Sequence, residues 1–177
     1  MQVFDTALDG LKIIEPKVFA DERGFFLETF QQQRYQELVS PLCQFVQDNY
    51  SRSKRGTLRG LHFQRCKPQG KLIRVTAGEI FDVVVDIRAG SVTFGHWEGH
   101  LLSAENKRQL WVPPGFAHGF LVLSEVADVE YKCTDYYDPR DEGAIRWNDA
   151  DLAIDWPLQG VPCLSQKDAA APWFRAL

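Results

Sequence analysis

The sequence has no CxxC pair. Its four cysteines, Cys43, Cys66, Cys133 and Cys163, show no zinc-like spacing either. No apolar run is long enough to cross a membrane, and no signal-peptide pattern opens the chain. There is no basic excess: 20 Lys and Arg stand against 24 Asp and Glu, a formal net charge of -4 at pH 7. That balance argues against general nucleic-acid binding, which wants a basic footprint, but leaves room for a local basic pocket. No repeat, low-complexity tract or linker divides the chain. Hydrophobic residues at 45% and charged residues at 25% are ordinary globular values. The expectation is a single domain over residues 1–177, soluble and cytoplasmic, with reduced thiols, no membrane and no nucleic-acid partner.

What is present is mostly short strand signals separated by turns. Gly10–Phe19 reads as extended, with Pro16 favouring an edge strand. A turn at Glu22-Arg23-Gly24 leads into another strand. Gln31–Val39 is the one helical candidate, stopped by Pro41. Phe45–Tyr50 alternates as a strand, and Ser51–Gly56 reads as a polar turn. Val75–Ile87 is the strongest β signal, broken at Ala77-Gly78. Val92–Leu102, Arg108–Val112, Gly119–Leu123 and Asp128–Thr134 follow as strands, with a tight turn at Pro113-Pro114-Gly115. From Tyr136 onward the residues suggest irregular turns and a loose tail. Many short strands with turn signals predict an all-β fold, a jelly roll with short peripheral helices.

Thr57–Val75, TLRGLHFQRCKPQGKLIRV, concentrates Arg59, His62, Gln64 and Lys71 in a segment that otherwise reads as strand. In a regular strand His62 and Gln64 share one face and Leu61 and Phe63 the other. A histidine and an amide with a lysine nearby suit a pocket lining; a hydrogen-bonded structural histidine is the plain alternative. Gly60 lets a backbone or a ligand come close.

PPGFAHGF, Pro113–Phe120, contains the PxGxxH pattern of the second cupin motif, but the HxH of the first is missing. Too few ligands remain for a typical metal cupin site, so no metal is expected. His96, Glu98 and His100 in HWEGH would share one strand face, and an exposed polar face is the better reading there.

DERGFF, QDNYS, LRGLHFQ, GKLIRV, PxGFAHGF, the pair Tyr131 and Tyr137, IRWND and LSQKD occur in this order. From about Leu11 to Asp168 the chain resembles the dTDP-4-dehydrorhamnose 3,5-epimerase family. The resemblance implies a cupin jelly roll, a homodimer, a dTDP-sugar substrate and no metal or organic cofactor. It also implies a reaction. A ketone at C4 of the sugar acidifies the hydrogens at C3 and C5. A base on one face, an oxyanion stabiliser and an acid on the other face then suffice to invert both centres.

By resemblance His62 is the base, Asp168 its carboxylate partner, Lys71 the enolate stabiliser and Tyr131 the opposed acid. Arg23 and Arg59 match diphosphate contacts, Glu28, Gln47 and Asn49 contacts to thymidine and sugar, and His118 a sugar-pocket residue. Tyr137 matches an aromatic position that stacks on thymine, and Glu142 a further substrate contact. Residue type alone leaves each of these open to a plainer role: a core tyrosine with a satisfied hydroxyl, a solvated lysine, a surface arginine or carboxylate. Three other functions stay open beside the epimerase: a C3-only epimerase of a related nucleotide-linked 4-ketosugar, a non-catalytic sugar-nucleotide binding cupin, and a metal-dependent cupin oxygenase.

Overall fold

The computed structural model describes residues 1–176. The strands in chain order are β1 (Gln2–Asp5), β2 (Lys12–Glu15), β3 (Val18–Asp21), β4 (Gly24–Leu27), β5 (Gln47–Lys54), β6 (Leu58–Gln64) and β7 (Lys71–Ala77), then β8 (Glu79–Asp86), β9 (Trp97–Ser103), β10 (Gln109–Val112), β11 (Phe116–Val122), β12 (Val126–Cys133) and β13 (Glu142–Ala144). Helix α1 spans Gln32–Leu38 and α2 spans Gln166–Ala169. Sheet one has the order β1-β2-β10-β7-β12-β5, sheet two β13-β6-β11-β8-β9, and β3 and β4 form a separate hairpin. Strand neighbours within the sheets run antiparallel. This is the expected jelly-roll sandwich.

The core lies where the inner faces meet. Ile73, Val75 and Val129 of sheet one pack against Ile80, Val84, Phe116, Phe120 and Val122 of sheet two. The outer face of sheet two is covered as well: Leu58, Leu61, Val83, Val85 and Leu121 pack under Ile145, Leu152 and Trp156. Two buried faces explain why Glu79–Asp86 reads as a nearly continuous apolar run instead of alternating. Residues after Tyr136 are thus no loose tail, because they supply this cover. Helix α1, capped by the Gln31 side chain on Arg34 N, covers the outer face of sheet one through Tyr35 and Val39 against Ile14, Leu72 and Trp111.

Several boundaries differ from expectation. Ser51–Lys54 continues β5 instead of turning, since it pairs with Val126–Val129 of β12. A polar run is tolerated because β5 is an edge strand with one face in water. Residues 92–95 are turns, gathered by the Asp86 carboxylate, which accepts from Ser91 Oγ and Thr93 Oγ1 at 2.6 Å each. Strand β2 is not an edge, because β1 lies outside it. Strand β11 begins at Phe116, so His118 sits inside a strand.

One irregularity sets the phase of β6. Opposite the β11 pair His118 and Phe120, β6 spends one residue more, pairing His62 and Arg59. This β-bulge flips the alternation, so Arg59 and His62 face the same side although a regular strand would oppose them. It occurs where the strands nearly touch. A Cβ on Gly60 would lie 2.6 Å from Gly119 Cα, and one on Gly119 would lie 2.6 Å from the Arg59 carbonyl oxygen. Gly60 also has a φ of 118°, a region that side chains avoid. Gly119→Ala is therefore expected to cost about 1–3 kcal/mol, the usual range for overpacking, read as a lower urea midpoint. An unchanged midpoint would show that the strands part freely there.

Candidate active site

A cavity of about 350 Å³ opens between the sheets. Gln47 and Asn49 of β5, Lys71 of β7 and Tyr131 of β12 line it from sheet one; Arg59 and His62 of β6 and His118 of β11 line it from sheet two. Tyr137 and Glu142 close one side. Ten of the twelve residues expected at the site therefore come together, counting Asp168 through its contact with His62.

Strand alternation explains the placing. On β12, Val129, Tyr131 and Cys133 point inward, while Asp128, Glu130 and Lys132 pair outside with Arg52, Arg74 and Asp48. In register, Tyr131 neighbours Asn49 and Ile73, and Cys133 neighbours Gln47 and Lys71. Lys71 therefore lies diagonal to Tyr131, its ammonium 6.0 Å from the ring centroid. His62 and His118 are direct cross-strand neighbours on the facing sheet.

His62 Nε2 lies 2.5 Å from Asp168 Oδ1. Asp168 is buried, and its other oxygen accepts from Ser165 Oγ at 2.8 Å. Ser165 also caps α2 by accepting from the Asp168 amide, which fixes the carboxylate's position. Burial alone would raise the Asp168 carboxyl, but the bonds to His62 and Ser165 outweigh it and hold it below the usual value. With Nε2 engaged, His62 keeps Nδ1 for the cavity.

The facing wall has the opposite character. Burial pushes the Tyr131 phenol up, so it stays protonated well into alkaline solution. Its hydroxyl forms no hydrogen bond among the described residues, unlike the satisfied oxygen of the core residue Tyr35, which donates to Gln109 Oε1 at 2.7 Å. Burial lowers the Lys71 ammonium, with the carboxylates of Asp82 and Glu142 pulling the other way.

The remaining contacts organise the rim. Gln64 clamps the Asp138 backbone, accepting from its amide at 2.9 Å and donating to its carbonyl at 3.1 Å. Gln47 Oε1 accepts from Tyr137 N at 2.9 Å. Tyr137 is held between these two amides. The Tyr137 hydroxyl and Lys167 both donate to Glu142, at 3.1 and 2.6 Å. Those bonds overcome the effect of burial and leave Glu142 below its ordinary value. Lys167 escaped the sequence analysis, although it adjoins Asp168 in LSQKD; only its bond to Glu142 places it at the rim.

Arg23 and Glu28 are the two expected residues that the structure does not bring here. Arg23 sits at the β3–β4 turn bonded to Asp21, and Glu28 pairs with Arg34. HWEGH is not an exposed face either. Glu98 and His100 are half-buried and 3.0 Å apart, and Glu98 accepts from Leu8 N at 2.7 Å. Among the described residues, no group of three or more His, Cys, Asp or Glu is placed to hold a metal. No helix among them is long and apolar enough to cross a membrane.

Fold and cavity together define a cupin-type jelly roll with an acid–base site held between its two sheets. Residues 5–176 match the dTDP-4-dehydrorhamnose 3,5-epimerase family. The chain is 59% identical over 173 residues to the dTDP-4-dehydrorhamnose 3,5-epimerase of Salmonella typhimurium, covering 97% of this chain and 94% of that one. It is 56% identical to the enzyme of the same name from Pseudomonas aeruginosa, over 98% and 96% of the two chains. Among solved structures it superposes on a dTDP-6-deoxy-D-glucose-3,5-epimerase from Legionella pneumophila in complex with dTDP-4-keto-L-rhamnose. That match has a TM-score of 0.97 and 59% identity, covering 99% of this chain and 94% of that one. The chain belongs to the dTDP-4-dehydrorhamnose 3,5-epimerase family and is an isomerase.

The His62–Asp168 pair carries a pH signature. A carboxyl held low in the folded state stabilises the protein above its unfolded value, near 3.8, and that share is lost as pH falls through the lower folded value. Asp168→Asn should lower stability at neutral pH by about 1–3 kcal/mol, the range for a hydrogen bond to a charged group. It should also flatten the fall below pH 4 in urea titrations. An unaltered acid limb would show that the pair does not contribute there.

Proposed function

We propose that the chain converts dTDP-4-dehydro-6-deoxy-D-glucose to dTDP-4-dehydro-L-rhamnose by inverting C3 and C5, as a single domain without metal or organic cofactor. One observation carries the reading: a carboxylate-backed histidine on one sheet faces a phenol and an ammonium on the other across a single cavity. His62 removes the proton next to the C4 ketone, and Asp168 favours the imidazolium that forms. Lys71 meets the charge that develops on the C4 oxygen. Tyr131, kept protonated by burial, returns a proton from the opposite face. Because the ketone already acidifies both positions, no redox step is needed. Arg59 takes the diphosphate, Tyr137 stacks on the thymine, and Gln47, Asn49, His118 and Glu142 contact the nucleoside and sugar.

Arg23 and Glu28 fit this scheme through a second copy of the chain. The β3–β4 hairpin exposes Val18, Phe19, Phe25 and Phe26, with Phe26 70% exposed. A lone two-stranded hairpin is marginal in water, and so large an apolar surface calls for a partner. In the proposed homodimer each hairpin covers the other subunit's cavity and carries Arg23 and Glu28 to it. Cytoplasmic residence suits the exposed free thiols of Cys66 and Cys163.

Deuterium wash-in from solvent tests the chemistry. His62→Ala should block exchange at C3 and C5 and epimerisation together. Tyr131→Phe should still admit deuterium with retained configuration while inverted product falls by about 10²–10⁴-fold, the usual worth of general acid–base assistance. Wild-type exchange in His62→Ala would remove the histidine from the base's role. Deuterium at C3 alone in the wild type would replace the double inversion by a C3-only epimerase.

Sedimentation equilibrium tests the assembly. A dimer is expected at micromolar concentration, and Phe26→Asp should give monomers with little activity. A fully active wild-type monomer would refute it.

A further inference from the structure

Three of the four histidines project from the inner face of sheet two, each beside a carboxylate: His62 with Asp168, His118 with Asp82, and His100 with Glu98. The His118–Asp82 pair is the most deeply placed. Asp82 is 0% exposed and His118 7%. Both Asp82 oxygens approach His118 Nε2, at 3.0 and 2.8 Å. Core residues Ile80, Val84, Phe116 and Phe120 flank the pair along β8 and β11, and His100 of β9 lies across from Asp82. A buried ionisable pair is a poor device for stability, since well-packed apolar side chains of similar volume do as well or better. The reason for this carboxylate therefore lies with the cavity next to it.

The geometry repeats that of the first pair. His118 and His62 are cross-strand neighbours, both rings line the cavity, and both turn Nε2 to a carboxylate. Each leaves Nδ1 for the substrate. Asp168 reaches its histidine from α2, whereas Asp82 reaches His118 from β8, on the same sheet.

We propose that Asp82 is a positioning residue for the epimerisation: it anchors His118 through Nε2, so that Nδ1 faces the sugar as an acceptor, and it supplies the buried negative charge that balances the Lys71 ammonium. The inference rests on reading the cavity as the epimerase site. Asp82 itself does not line the cavity.

Lys71 and His118 line the same cavity, and Asp82 lies directly behind His118. Burial works against the ammonium, and Asp82 and Glu142 are the two carboxylates that oppose that effect. Glu142 is already engaged by Lys167 and the Tyr137 hydroxyl, while the Asp82 carboxylate bonds only His118 among the described residues, with His100 across from it on β9. Arg59 and His62 face the cavity from sheet two and can only add positive charge. Tyr131 and Cys133 on β12 are both pushed up by burial and stay neutral. Asp168 is held by His62, and Glu98 on β9 by the Leu8 amide, with His100 Nε2 3.0 Å away. With Asp82 neutralised, Lys71 would lose its proton at lower pH and with it the power to stabilise an enolate.

Asp82→Asn separates the two effects, because the amide oxygen can still accept from Nε2–H while the charge is gone. The Lys71 side chain is followed by lysine-selective carbon-13 NMR of the substrate-free protein. Its deprotonation midpoint should fall in the variant. Turnover should drop more in alkaline solution than at pH 7, with KM within about twofold. In the wild type, nitrogen-15 NMR at pH 8 should find His118 protonated at Nε2 and bare at Nδ1. An unmoved lysine midpoint, or a turnover loss equal at every pH, overturns the charge role; a proton on Nδ1 overturns the anchoring. Should the variant not fold, the wild-type His118 tautomer still decides the anchoring, and Asp82→Glu, which keeps the charge, should retain the wild-type lysine midpoint. A protein that fails to turn over the dTDP-ketosugar defeats the epimerase reading, while both NMR results still score Asp82.

Discussion

Strands β6 and β11 run so close at Gly60 and Gly119 that neither position has room for a Cβ. The phase of the cavity depends on that approach. The extra β6 residue there brings Arg59 and His62 to one face and leaves Leu58, Leu61 and Phe63 to pack under the C-terminal segment. Without the bulge, either the arginine or the histidine would point into apolar packing, where an unpaired charge is strongly unfavourable. Apolar cover on one face and polar cavity on the other are thus satisfied together by a single irregularity.

The sandwich then divides the chemistry between its sheets. Sheet two carries His62 and His118, each oriented by a carboxylate through Nε2. Sheet one carries the phenol and the ammonium, with burial as the main influence on both. Opposed inner faces suit a reaction that takes a proton from one side of a sugar and returns it on the other. A cavity lined from a single sheet would place base and acid on the same side. The amide clamps from Gln47 and Gln64 add little chemistry of their own, but they fix Tyr137 at the rim.

The β3–β4 hairpin stands apart from this economy. Its aromatic residues have no core to enter within the chain, and its Arg23 is occupied by Asp21. Its exposed aromatics support the proposed dimer, in which the two expected site residues missing from the cavity would reach it.

Strand pattern, the extent and stop of α1, and the motif order were legible in the residues, because alternation and turn chemistry are local. So was the grouping of His62, Lys71, Tyr131 and Asp168 as one candidate site, since the resemblance rests on short contiguous motifs. The polar run Ser51–Lys54 reads as a turn in sequence because its strand pairing comes from β12, far away in the chain. The parity of Arg59 against His62 was hidden for the same reason: a bulge is a property of two strands, and only β11 reveals it. Asp82 and Lys167 carry no motif, and only packing places them behind His118 and beside Glu142. By itself the sequence determined which residues alternate, cap and turn, and which chemical groups are available. Tertiary structure decided which of those groups meet, because strand partners, burial and charge balance are set by contacts between segments distant in sequence.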